Sequence, residues 1–263
     1  MQTTQIIWKN QSIDIEYQWL NEAQKEAPIL VFLHEGLGSI ALWRDFPKTL
    51  CETLGYRGLV YSRPGYGWST PRPTNEYWQI DFMHQQAIDV LPIFLESLHV
   101  QSPVWILGHS DGGSIALLAA ANKPYLTRGI IVLAPHIFVE NLTISSIKEA
   151  KELYLKGDLK QKLARYHQDV DSAFWGWNDI WLDSEFKNWD ITNEISSIQC
   201  PVLAIQGFDD PYGTMAQIDG IKERVPNTTL LKIPDCGHSP HRDQPIIVID
   251  GIKEFLVSQV AAI

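Results

Sequence analysis

The stretch Val104-Trp105-Ile106-Leu107-Gly108-His109-Ser110-Asp111-Gly112-Gly113 constrains this chain more than any other. Four apolar residues in a row, branched and aromatic, suit a strand buried on both faces. A G-x-S-x-G turn follows, leading into the small-residue run Ser114 to Ala121, which predicts a helix. A strand can pass directly into a helix only through a tight, strained turn, and side chains two residues either side of its apex would collide. Gly108 and Gly112 remove that collision and leave the Ser110 hydroxyl clear of the sheet's carboxyl edge, with the helix's unpaired N–H groups aimed at the same point. Alone, the motif arises by chance in about one chain in ten of this length, and its plain alternative is a glycine turn with serine as a helix cap. The buried run before it, the helix after it and two partners later in the chain favour the nucleophile.

The remaining segments alternate strand and helix in the manner of a mostly parallel sheet covered on both faces. Gln5 to Trp8 and Ile13 to Trp19 read as an antiparallel edge pair, and Pro28 to Leu33, Gly58 to Tyr61, Gly129 to Ala134, Pro201 to Gln206 and Thr229 to Ile233 as strands. Helices are expected over Ile40 to Leu54, over Trp78 to Leu98 with a kink at Pro92, over Thr214 to Val225 and over Ile246 to Ala262. The alternation lapses between 136 and 195, a helical, charged and aromatic segment too long for a simple crossover, which reads as a lid over the strand ends. The expected organisation is therefore one α/β domain in two parts, 1–135 and 196–263, with the lid inserted at 136–195.

A serine hydroxyl needs an imidazole to take its proton and an acid to orient that imidazole. Asp210 and His238 each follow an expected strand, so both would reach the carboxyl edge where Ser110 stands. The loop His34-Glu35-Gly36-Leu37-Gly38-Ser39, past another strand, has the glycines needed to curl and present N–H groups to an oxyanion; an ordinary turn explains it equally well. Ten tryptophans are unusual for 263 residues. Trp175, Trp177 and Trp181 in the inserted segment, with Trp43 and Tyr66, are candidates to line an apolar substrate pocket; packing is the favoured reading of any single ring, but with so many at least one is expected to face the ligand.

These residues resemble the serine α/β-hydrolase superfamily, in which serine, acid and histidine follow in that chain order. The resemblance runs from the His34-Glu35-Gly36 turn through the elbow to Gly237-His238. It implies an α/β-hydrolase fold, Ser110 as nucleophile, and Asp210, three residues after Gly207, rather than Asp209 as the acid. It also implies His238, in a G-H-x-P loop, rather than His241 as the base. The backbone N–H of Asp111 would be one oxyanion donor, with Gly36 or Leu37 supplying the other. Glu35 stands where the family usually has the first glycine of a His-Gly pair, and Asp111 where an apolar residue is usual. The activity implied is cleavage of a carboxylic ester with a small to medium apolar acyl group; a C–C hydrolase, lactonase or thioesterase, or a receptor built on this fold, is the alternative. No cofactor is expected. His238 and His241 have the i, i+3 spacing of a metal-ligand pair, but no carboxylate or cysteine cluster completes a set, so no metal is expected either.

A formal net charge of −10 makes nucleic acid and anionic membrane surfaces poor partners. With no run of eighteen apolar residues and no basic leader, a soluble cytoplasmic protein is expected, a monomer or homodimer acting on a small molecule. Cys51, Cys200 and Cys236 are read as free thiols.

Overall fold

The computed structural model describes residues 1–73 and 75–260. Eight strands form one sheet: β1 (Gln2–Trp8), β2 (Gln11–Leu20), β3 (Ile29–Leu33), β4 (Arg57–Tyr61), β5 (Val104–His109), β6 (Thr127–Leu133), β7 (Val202–Gly207) and β8 (Thr228–Ile233), in the order β1-β2-β4-β3-β5-β6-β7-β8. The β1–β2 and β2–β4 pairs are antiparallel and every other pair is parallel. This is the α/β-hydrolase architecture expected from the sequence.

The continuous apolar runs have their physical reason in the two layers that cover the sheet. In β3, Val31 and Leu33 face one buried cluster while Leu30 and Phe32 face the other. The first cluster is completed by α2 (Phe82–Gln85), α3 (Leu91–Ser97) and α4 (Asp111–Asn122), the second by α1 (Phe46–Leu54) and α10 (Pro245–Val260). Every residue of β5 is buried.

Two expected helices differ in detail. The helix expected over 40–54 is a 3-10 turn, Ile40–Trp43, then α1, because Arg44 takes φ 53° and Pro47 starts a new helix. The helix expected from Trp78 begins at Phe82, and a wider π-type turn over Gln86–Val90 separates α2 from α3. Pro92 lies just beyond that turn and has no N–H to donate to the preceding turn, so the ladder loosens where the kink was expected. Of the C-terminal helix expected through Ala262, the last two residues, Ala261 and Ala262, lie outside the described residues.

Between β6 and β7 run α5 (Asn141–Lys156), α6 (Leu159–Leu163), α7 (Val170–Trp181) and two 3-10 turns, ahead of α8 (Ala216–Arg224) between β7 and β8 and α9 (Pro240–Asp243). Among the described residues, no helix is long and apolar enough to cross a membrane.

Candidate active site

The elbow is built as the local sterics require. Ser110 holds φ 53° and ψ −120°, and its N–H donates to the Leu133 carbonyl of β6 at 2.9 Å. A Cβ at Gly108 would lie 2.1 Å from the Gly112 carbonyl oxygen, and one at Gly112 2.1 Å from that of Leu33. Both are backbone obstacles that cannot swing aside, so the crossing of β5, α4 and β3 depends on glycine at both positions.

Parallel pairing of β5 through β8 brings the ends of β5, β7 and β8 to a single edge. There His238 Nε2 stands 2.9 Å from Ser110 Oγ, and His238 Nδ1 stands 2.9 Å from each oxygen of Asp210, 28 residues earlier in the chain. Asp210 is the member of the Asp209-Asp210 pair that turns inward; Asp209 is exposed. The Tyr212 N–H donates to Asp210 Oδ1 at 2.8 Å and Gln206 Nε2 to Oδ2 at 3.3 Å, so both carboxylate oxygens are held. Burial alone would raise the Asp210 pKa. The contacts from His238 and the Tyr212 N–H outweigh it and hold the group below the usual carboxylate value.

Behind this row sits a second layer of imidazoles. His109 donates from Nε2 to the His238 carbonyl at 2.6 Å, and its Nδ1 lies 3.5 Å from Glu35 Oε2, so one buried ring links the elbow, the His238 loop and the loop after β3. Burial would raise Glu35, but the His109, His34 and His241 imidazoles around it keep its carboxyl well below the usual range. His34 donates from Nδ1 to the Glu35 carbonyl at 2.7 Å and accepts the Arg63 N–H at 3.0 Å, the loop-bonding role expected for it. His167 accepts the Gly67 N–H at 3.0 Å and donates to the Leu37 carbonyl at 3.0 Å, anchoring the same loop from the segment between β6 and β7. His136 is buried and its pKa is lowered to about 3, first by burial and then by its neighbour His238, so the ring is neutral at any ordinary pH.

A cavity of about 120 Å³ opens beside Ser110. Gly36, Leu37 and Asp111 border it, as do Trp177 and Trp181 of α7. A Cβ at Gly36 would fall 2.2 Å from Trp177 Nε1, so the ring closes directly on the loop at that position. The N–H groups of Gly36, Leu37 and Asp111 make no hydrogen bond among the described residues, so all three remain donors next to the hydroxyl.

Three of the rings expected in the pocket lie elsewhere. Trp43 is packed between Phe32, Phe46 and His241, with ring centroids 5.8, 6.1 and 4.9 Å away, on the face of the sheet covered by α1. Tyr66 stands edge-on to His34 at 5.2 Å and under the Arg63 guanidinium, holding up the loop rather than touching the cavity. Trp175 is two residues from Trp177, hence about 200° round the helix, and borders a separate cleft with Arg72 and Trp78. Thr143 and Ile147, spaced i, i+4 on α5, line the cavity together with Tyr212, His136 and Ser239. The spacing on α5 was visible in the sequence, but which helical face meets the site was not.

Asp111 is 1 % exposed, and its carboxyl is raised from 3.8 to about 6, first by burial and then, more weakly, by Glu35, against the pull of Arg63 and the Trp181 hydrogen bond. A raised carboxyl favours the protonated fold, so wild-type stability falls as pH rises from about 4 to about 6 and is flat above. Asp111→Asn removes that titration. At ~1.4 kcal/mol per pKa unit, urea unfolding of the variant should gain about 3 kcal/mol on the wild type between pH 4 and pH 7. Parallel pH–stability curves would show that the carboxyl is not perturbed.

Comparison with known proteins bears on the family and the fold. Residues 30–250 match the family model described as "Alpha/beta hydrolase family". The chain is 25% identical over 261 residues to the sn-1-specific diacylglycerol lipase ABHD11 of Danio rerio, covering 86% of this chain and 78% of that protein. It is 23% identical over 292 residues to a proline iminopeptidase of Heyndrickxia coagulans, covering 93% and 95%. A carboxylesterase structure from Nitrososphaera gargenis superposes with a TM-score of 0.80 at 20% identity, over 98% of this chain and all of the other. With the family model spanning both the Ser110 elbow and the His238 loop, the chain belongs to the alpha/beta hydrolase family.

Proposed function

We propose that the protein is a serine hydrolase that cleaves a carboxylic ester of a short acyl group through an acyl-enzyme. The observation that carries this reading is the unbroken run of contacts from Ser110 Oγ through His238 to Asp210, each at 2.9 Å. In the first half-reaction Ser110 Oγ adds to the ester carbonyl as its proton passes to His238 Nε2, and Asp210 stabilises the imidazolium. The oxyanion is held by the Asp111 N–H and that of Gly36 or Leu37. Collapse breaks the bond to the leaving alkoxide, which takes the proton from His238. Water, deprotonated by His238, then releases the acid and restores Ser110. In this reading the helical segment 136–195 acts as the lid, with Trp177 and Trp181 as its inner surface.

The cavity's volume is below the roughly 300–1,000 Å³ of sites for drug-sized ligands, which favours a short acyl group. Leu37, Ile147, Trp177 and Trp181 supply apolar walls for its carbon skeleton. The alternative of a carboxylated substrate, as in C–C bond hydrolysis, loses support because no lysine or arginine is among the lining residues. Arg44 is exposed, and the Arg63 guanidinium donates to the Glu35 carbonyl at 2.9 Å. The names of the lipase relative and of the carboxylesterase neighbour accord with ester cleavage.

A fluorophosphonate should label Ser110 in one-to-one stoichiometry, and short p-nitrophenyl esters should give sustained turnover that the label abolishes. Labelling without turnover would favour a ligand receptor built on the fold; no labelling would refute the reading.

A further inference from the structure

Asp111 carries a charge that the ester chemistry above does not use. Only its backbone N–H has a role there, yet its side chain is buried at the first turn of α4 and borders the cavity. Oδ1 accepts a hydrogen bond from Trp181 Nε1 at 3.2 Å, whereas Oδ2 is buried with no partner among the described residues. A buried carboxylate oxygen without a donor costs stability, and the Trp181 hydrogen bond and the Arg63 charge offset only part of the burial that raises this carboxyl.

The surroundings say which ligand would satisfy it. Glu35 is the second acid on the cavity wall, and no lysine or arginine lines the space. The nearby Arg63 is buried and engaged with the Glu35 carbonyl and the Tyr66 ring. Trp177, Trp181 and Tyr212 form aromatic walls, which attract cations through their ring faces. An anionic, aromatic-walled space with a free acceptor is built for a small ammonium group. Asp111 is also the residue next to Ser110, so a cation on its side chain lies close to the carbonyl under attack.

We propose that the cavity holds the ammonium group of an α-amino acyl ester, Asp111 Oδ2 accepting a charge-assisted hydrogen bond from it while Ser110 attacks the neighbouring carbonyl. The ammonium is bound and not altered, and the bonds made and broken are those of the ester reaction. The proposal rests on the ester-hydrolase reading and narrows its substrate class.

Ethyl alaninate and ethyl isobutyrate test it, since they share one skeleton with an ammonium in one where the other has a methyl. Rates are compared as kcat/KM, each corrected for the ester's own alkaline hydrolysis. The wild type should favour the alanine ester at least tenfold, and Asp111→Asn should bring that ratio close to one, whatever its absolute rate. Equal corrected rates in the wild type, or a preference that survives in Asp111→Asn, would overturn the amine subsite while leaving the hydrolase reading intact. Hydrolysis of neither ester would sink both. Should the variant fail to fold, inhibition of the wild type decides: isobutylamine should compete with substrate at a concentration at least tenfold below that of isobutanol, and equal potency would refute the subsite.

Discussion

Ser110→Ala is expected to lower kcat for a short p-nitrophenyl ester by about six orders of magnitude, the scale seen when a triad serine is removed. The loss is large because His238 then has no hydroxyl to deprotonate, and only bound water and the oxyanion donors remain. The fold should be nearly indifferent. The Ser110 side chain makes no capping hydrogen bond to α4, and alanine meets the same backbone strain at φ 53° that serine already bears. Chemical denaturation should therefore place the variant within about 1.5 kcal/mol of the wild type, the net worth of the one hydrogen bond lost, that to His238. Activity within tenfold of wild type would show that another residue is the nucleophile.

Asp210→Asn should lower kcat by about 10⁴ with the overall geometry intact. The mechanism is a reversal of tautomer. An ionised Asp210 has only acceptors facing His238 Nδ1, which forces the proton onto Nδ1 and leaves Nε2 free to receive the one from Ser110. An asparagine can offer its amide N–H to Nδ1 instead, and the ring then carries its proton on Nε2, where no base remains. Asp209→Asn provides the contrast. Its side chain is exposed and makes none of these contacts, so its kcat should stay within about twofold, as expected of a surface change away from such features. If the two variants lost activity equally, the choice of Asp210 would be wrong.

Much of the site was legible because its causes are local. Two glycines around a serine, after a buried run and before a helix, describe a turn whose sterics admit few other residues, and a Cβ at either glycine would meet backbone oxygen at 2.1 Å. The strand runs were legible because a parallel sheet covered on both faces demands uninterrupted apolar side chains. The aromatic residues were not legible in the same way. Trp175 and Trp177 are near neighbours in the sequence, yet the helical rotation between them sends one to an outer cleft and the other over Ser110. Trp43 follows the β3 loop closely enough to have been a pocket candidate, but the break at Arg44 and the seating of α1 place it among Phe32, Phe46 and His241. Glu35 was visible as a departure from the family's glycine; its approach to His109 was not, because it depends on the pairing of β3 with β5, two strands that are distant in the chain.

The elbow, the order of strands and helices, and the three groups that gather at one sheet edge follow from the residues read in order. Short-range sterics and the alternation of buried runs are properties of a few consecutive residues. The tertiary structure alone decided which rings wall the cavity, which of its charges lack a partner and which loops one imidazole ties together. Those outcomes depend on helix rotation and loop packing, and these are settled only when segments a hundred residues apart come into contact.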